Sequence, residues 1–88
     1  MRKVFVNLSQ VSGSFANSWT ASVAIAHGGK NGQNEIAIGE SVIYSTKQQA
    51  WESIKKSVEK LDFEKDEIYF NYKRVQSYTE VKQLVGQL

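Results

Sequence analysis

The chain has no cysteine and no proline, and only one histidine and one methionine in 88 residues. Without cysteine there can be no disulfide, no thiolate zinc site and no thiol nucleophile, so a small secreted scaffold held by disulfide bridges is excluded. Charge is balanced: 11 Lys and Arg against 9 Asp and Glu leave a net +2. No basic stripe of the kind a duplex-DNA binder carries is concentrated anywhere. No apolar run approaches the roughly 18–20 residues that would span a bilayer. The opening MRKVFVNLSQ has two basic residues but a short, interrupted apolar segment, a poor secretory leader. The expectation is a cytoplasmic protein with no membrane contact. His27 stands beside Gly28-Gly29 with no serine or second ligand at a useful spacing, so it reads as a turn residue rather than a base.

What is present suffices for one folded domain over residues 1–88. A 41% hydrophobic share with 23% charged residues argues for a packed core rather than a disordered chain. The clearest stretch is 45–61, STKQQAWESIKKSVEKL. Ala50, Trp51, Ile54, Val58 and Leu61 recur every three or four residues and form one apolar stripe on a helix. Thr46 with Gln49 three residues on is the capping-box spacing, and Glu52 to Lys56 is an i,i+4 ion pair on the wet face.

The remaining chain alternates. Residues 3–8 place Val4, Val6 and Leu8 on one face and Phe5 and Asn7 on the other, a strand by period and β-branched content. Residues 9–18 read as a loop. Residues 19–27 set Trp19, Ala21, Val23, Ile25 and His27 against small side chains. Residues 28–33, GGKNGQ, form a turn around Asn31-Gly32, and the strand over 34–44 carries a bulge near Gly39-Glu40. Residues 62–66 make a short solvated connection. Residues 67–73 alternate again, with Ile68, Phe70 and Tyr72 opposite Tyr69, Asn71 and Lys73. Ser77 and Glu80 cap a last helix whose stripe is Tyr78, Val81, Leu84, Val85 and Leu88. The predicted fold is α+β: a mixed sheet in the order β-β-β-α-β-α, with both helices on one face and a right-handed crossover.

This order resembles the first part of the ribonuclease H-like fold. That family opens with a three-stranded meander, then a helix starting Thr-Asn-x-x-Ala-Glu, a strand ending Thr-Asp-Ser and another helix. The matching stretches here are VFVNLS, STKQQAWES, IYFNYK and SYTEVKQLV. They cover almost the whole chain but only about the first two-thirds of a full ribonuclease H domain. A partial version of the fold, as in small HicB-like antitoxin domains, matches the length equally. The resemblance implies two-metal hydrolysis only where acids stand, and the family's positions fall on Asn7, on Trp51 or its neighbour Glu52, and on Asn71. Carboxamides hold a pair of Mg²⁺ ions poorly. The expectation is therefore a non-catalytic relative with no cofactor and no metal.

Three other patterns have plain readings. The acids Asp62, Glu64, Asp66 and Glu67 lack the glycine and distal glutamate of a calcium loop. The run GGKNG precedes a strand and not a helix N-terminus, so it does not cradle phosphate. Lys55, Lys56 and Lys60 interleave with Glu52 and Glu59 as a solvated face. What remains is the sheet face opposite the helices, where Phe5, Asn7, Tyr69 and Asn71 would gather, with Lys73 near one end and Thr20 and Ser22 to one side. Such side chains can simply cover the sheet or pack under the 9–18 loop; as a binding surface they suit a protein partner in an inhibitor, antitoxin-like or adaptor role, or a second copy in a homodimer. The alternative is single-stranded nucleic acid stacked on the aromatics.

Overall fold

The computed structural model of the protein describes residues 2–11, 18–27, 34–38 and 43–88. The elements are β1 (Lys3–Val11), β2 (Ser18–His27), β3 (Asn34–Ile38), β4 (Ile43–Tyr44), α1 (Lys47–Glu59), β5 (Glu67–Phe70), β6 (Lys73–Val75) and α2 (Tyr78–Gln87). The fold is α+β with a mixed sheet. Its strand order is β3-β2-β1-β5-β6, with β4 also pairing β2. β1 and β2 pair antiparallel from Lys3↔Ala26 to Val11↔Ser18. After α1 the chain returns beyond β1, and β5 pairs with it in parallel from Lys3↔Glu67 to Val6↔Phe70.

Two features refine the predicted order. On the far edge of β2, Val23 pairs with Ile38 while Thr20 pairs with Ile43, so two residues of β2 span four positions of the partner chain. An even step in register keeps side-chain parity, and Tyr44 therefore arrives opposite Trp19 and packs with it against the core. Positions 39–42, including the expected bulge and Val42, lie outside the described residues, as does the turn at 28–33. The second feature is a correction. The single strand expected over 67–73 stops at Phe70, because Asn71 (φ 47°) and Tyr72 (φ 69°) are left-handed. They form a two-residue loop closed by Phe70↔Lys73, the arrangement that type I′ hairpin turns require. Tyr72 is consequently 85% exposed and not a core neighbour of Phe70.

The core is one cluster. Val4, Val6, Leu8, Ala21, Val23, Ile68, Phe70 and Val75 from the sheet meet Ala50, Trp51, Ile54 and Val58 of α1 and Val81 and Val85 of α2. Both helices thus cover the same face. Half of each expected capping box forms: Thr46 Oγ1 accepts from the Gln49 N–H at 3.1 Å and Ser77 Oγ from the Glu80 N–H at 3.2 Å. Trp51 stacks on Tyr78 with ring centroids 6.3 Å apart, joining the helices. The Tyr78 hydroxyl donates to Glu59 at 3.2 Å, and burial together with that carboxylate raises its pKa. Glu52 accepts from Gln48 at 2.9 Å rather than pairing with Lys56, and Leu88 leaves the expected stripe to stand exposed.

The connection before β5 differs from the solvated loop expected. Asp62 Oδ1 accepts from the N–H groups of Glu64 and Lys65, a tight local turn. Asp66 is only 8% exposed, and its carboxylate takes a two-pronged contact from Arg2, with Nε at 3.2 Å and Nη2 at 2.5 Å. The next residue confirms the seam, since the Glu67 N–H donates to the Arg2 carbonyl at 2.8 Å. The Arg2 hydrogen bond lowers the Asp66 pKa, against the opposing pull of burial.

A lowered carboxyl pKa contributes stability above the unfolded-state value, about 4 for aspartate, and that contribution is lost as pH falls through the folded-state pKa. Arg2→Gln should therefore cost about 1–3 kcal/mol at neutral pH, the penalty of a buried acceptor left without its donor. It should also flatten the loss of stability between neutral pH and about pH 3. Urea unfolding across that range checks both, and an unchanged acid limb would refute the assignment.

Candidate binding face of the sheet

Strict alternation along β1 sends Val4, Val6 and Leu8 into the core and leaves Lys3, Phe5, Asn7 and Ser9 on the face away from the helices. β5 divides in the same way, with Glu67 and Tyr69 on that face. The parallel register sets Phe5 beside Tyr69. Their rings stack, with centroids 5.4 Å apart and an interplanar angle of 15°. On the other side of β1, Ala24, Ser22 and Thr20 of β2 stand opposite Phe5, Asn7 and Ser9. Their small side chains keep that half of the face shallow. The Ser9 and Thr20 hydroxyls lie 3.4 Å apart.

Arg74 is the residue of this face that alternation missed. The hairpin pairs it with Tyr69, and its guanidinium carbon lies 5.8 Å from the Tyr69 ring centroid. Glu67 ties the group together: it accepts from the Tyr69 hydroxyl at 3.2 Å and forms ion pairs with Arg74 Nη1 at 3.3 Å and Lys3 Nζ at 3.7 Å. Exposed ion pairs contribute only about 0–1 kcal/mol each, and an exposed cation–π contact about 0.5–1 kcal/mol. The network's effect is orientation: one carboxylate ties the Tyr69 hydroxyl and Arg74 together beside Phe5.

The five residues that the sequence pointed to have different fates. Phe5 and Tyr69 converge at the centre of the face, and Asn7 shares it, half-buried in the row with Ser22. Asn71 is engaged with the backbone. Its Oδ1 accepts from the Leu8 N–H at 2.9 Å, its Nδ2 donates to the Leu8 carbonyl at 2.8 Å, and its own N–H donates to the Val6 carbonyl at 2.8 Å. The side chain imitates a peptide group and lengthens the parallel ladder by one rung. Lys73 does not join the face. Pairing with Phe70 gives it the parity of the helix side, where it borders a cleft with Leu84, Gln87 and Leu88.

The positions where the resembled enzymes would carry acids do not converge either. Trp51 lies in the core, Glu52 on the outer surface of α1, and Asn7 on the opposite side of the sheet. Among the described residues no group of three or more His, Cys, Asp or Glu is placed to hold a metal ion. Nor is any described helix long and apolar enough to cross a membrane. The surroundings of the His27 side chain lie outside the described residues. No protein-family profile, curated protein or solved structure matches the chain.

The Asn71 geometry has a measurable signature. Asn71→Gly keeps the positive φ but strands the Leu8 N–H and carbonyl, at an expected cost of about 1–3 kcal/mol. Asn71→Ala should cost about 1–2 kcal/mol more, since a Cβ in left-handed backbone is strained without the compensating amide. Denaturant unfolding of the two variants checks the order. Equal losses would assign the residue to the side-chain bonds alone.

Proposed function

We propose that the chain is a small, non-enzymatic, cytoplasmic binding module that engages a protein through the Phe5–Tyr69–Arg74 face, in an inhibitor, antitoxin-like or adaptor role. One observation carries the choice of partner. Tyr69 sits in the middle of a row, with Phe5 against one side of its ring and Arg74 over the other. Base stacking needs a free aromatic face; both sides of Tyr69 are flanked, which leaves only the side of Phe5 towards Ala24. What such a row presents outward is ring edges, a phenolic hydroxyl and an Arg–Glu pair, the composition enriched at protein interfaces. A second copy of the chain is one partner that such a face could accept.

The non-catalytic part of the proposal draws on where the resembled positions fall. A ribonuclease H-like relationship would give this chain the scaffold without the acids, and Glu52 and Asn7 stand on opposite sides of the sheet. The second reading, single-stranded nucleic acid, draws on the cations Lys3 and Arg74 that flank the aromatics.

The double variant Phe5→Ala/Tyr69→Ala, verified as folded by circular dichroism, discriminates between these. The expected outcome is that a protein captured by the wild-type chain from its source cells is lost with the variant, while labelled oligo-dT binds neither form at low salt. Oligo-dT binding that falls steeply with salt and disappears in the variant would replace the protein reading by the nucleic-acid one. Mg²⁺-dependent cleavage abolished by Glu52→Ala would overturn both.

A further inference from the structure

The β5–β6 turn is chemically unusual. A two-residue loop with positive φ at both centres forms most readily as Asn-Gly. Here the second centre is Tyr72 at φ 69°, where a bulky side chain is strained. The ring recovers nothing inside the fold, since Tyr72 is 85% exposed. Strained backbone retained without an internal contact is a mark of a side chain kept for use outside the fold.

The surroundings suggest the use. The cleft between the turn and the end of α2 is lined by Phe70, Asn71, Lys73, Leu84, Gln87 and Leu88. Tyr72 stands between two of these lining residues. Three large apolar side chains are exposed among the described residues, Ile43, Tyr72 and Leu88; Leu88 is in the lining, and Tyr72 stands on the adjoining turn. Lys73 supplies the one charged side chain of the lining, and no acid accompanies it. An apolar floor with cations at its rim, Lys73 in the lining and Lys47 on the Leu88 carbonyl at 3.1 Å, complements an apolar side chain next to a carboxylate.

The geometry points to a second docking site at this end of the molecule, for a peptide segment of a partner protein that carries an aliphatic or aromatic residue beside Asp or Glu. The apolar residue enters the cleft over Leu84 and Leu88, the carboxylate meets Lys73, and Tyr72 closes over the segment as a rigid clamp. The site is separate from the Phe5–Tyr69 face and stands or falls without it.

Selection of a random-peptide phage library on the immobilised chain tests this, followed by NMR titration of the enriched peptide. The expected consensus pairs an acid with a large apolar residue, and the titration should move the amide signals of residues 71–74, Leu84 and Leu88. Tyr72→Gly should weaken the peptide by at least about tenfold, as loss of an interface anchor does, while its thermal midpoint stays level or rises because Asn-Gly suits the turn. Lys73→Glu should weaken the peptide comparably, and Phe5→Ala/Tyr69→Ala should leave it unchanged. No enrichment, a consensus without an acid, undiminished affinity in Tyr72→Gly, or a lowered midpoint for that variant would each overturn the assignment. Oligo-dT binding lost in Tyr72→Gly would overturn it in favour of a nucleic-acid contact.

Discussion

The parallel pairing of β1 with β5 is the constraint on which the rest depends. Parallel neighbours cannot be joined by a tight turn, so α1 must carry the chain across the sheet before β5 can be laid down. That crossing places Val4, Val6 and Leu8 beside Ile68 and Phe70 under the helices. Each such burial contributes on the order of 1.5–3 kcal/mol. A slip of one residue would turn every one of these side chains outward. The core therefore holds the register, and the register alone brings Phe5 against Tyr69 on the other side.

Polar contacts bracket this pair of strands at both ends. At its start Arg2 holds the buried Asp66, and the Arg2 carbonyl receives the first β5 amide. At its finish the Asn71 side chain occupies both backbone groups of Leu8. Short parallel strands leave peptide groups unpaired at their ends, and buried peptide groups need partners. At the Leu8 end the Asn71 side chain satisfies those groups; at the Arg2 end they pair backbone to backbone, and the Arg2–Asp66 ion pair pins the seam.

The sequence was most informative where period governs. Alternation in β1 and β2, the helix stripes and both caps were legible because burial on one face imposes a repeat. Tertiary polar contacts impose none. Asp66 looked like one acid among four in a solvated run, since its partner lies at the other end of the chain. The Phe70–Lys73 turn was hidden for a different reason: Tyr72 is not a turn former, and alternation ran on through it. Reading one strand where there are two placed Lys73 on the aromatic face and overlooked Arg74. A two-residue turn makes the residue after it share the face of the residue before it, which puts Lys73 with Phe70 and Arg74 with Tyr69.

The proposed function rests on the face that the core leaves over. Its aromatic row, tied by Glu67, is suited to contact at ring edges rather than to stacking. The most direct test is site-specific photo-crosslinking in the source cells, with benzoylphenylalanine at Ser9 on that face and, for comparison, at Lys55 on the outer surface of α1. The account predicts a discrete protein adduct from Ser9 and none from Lys55. Adducts only from Lys55, or only to nucleic acid from Ser9, would contradict it.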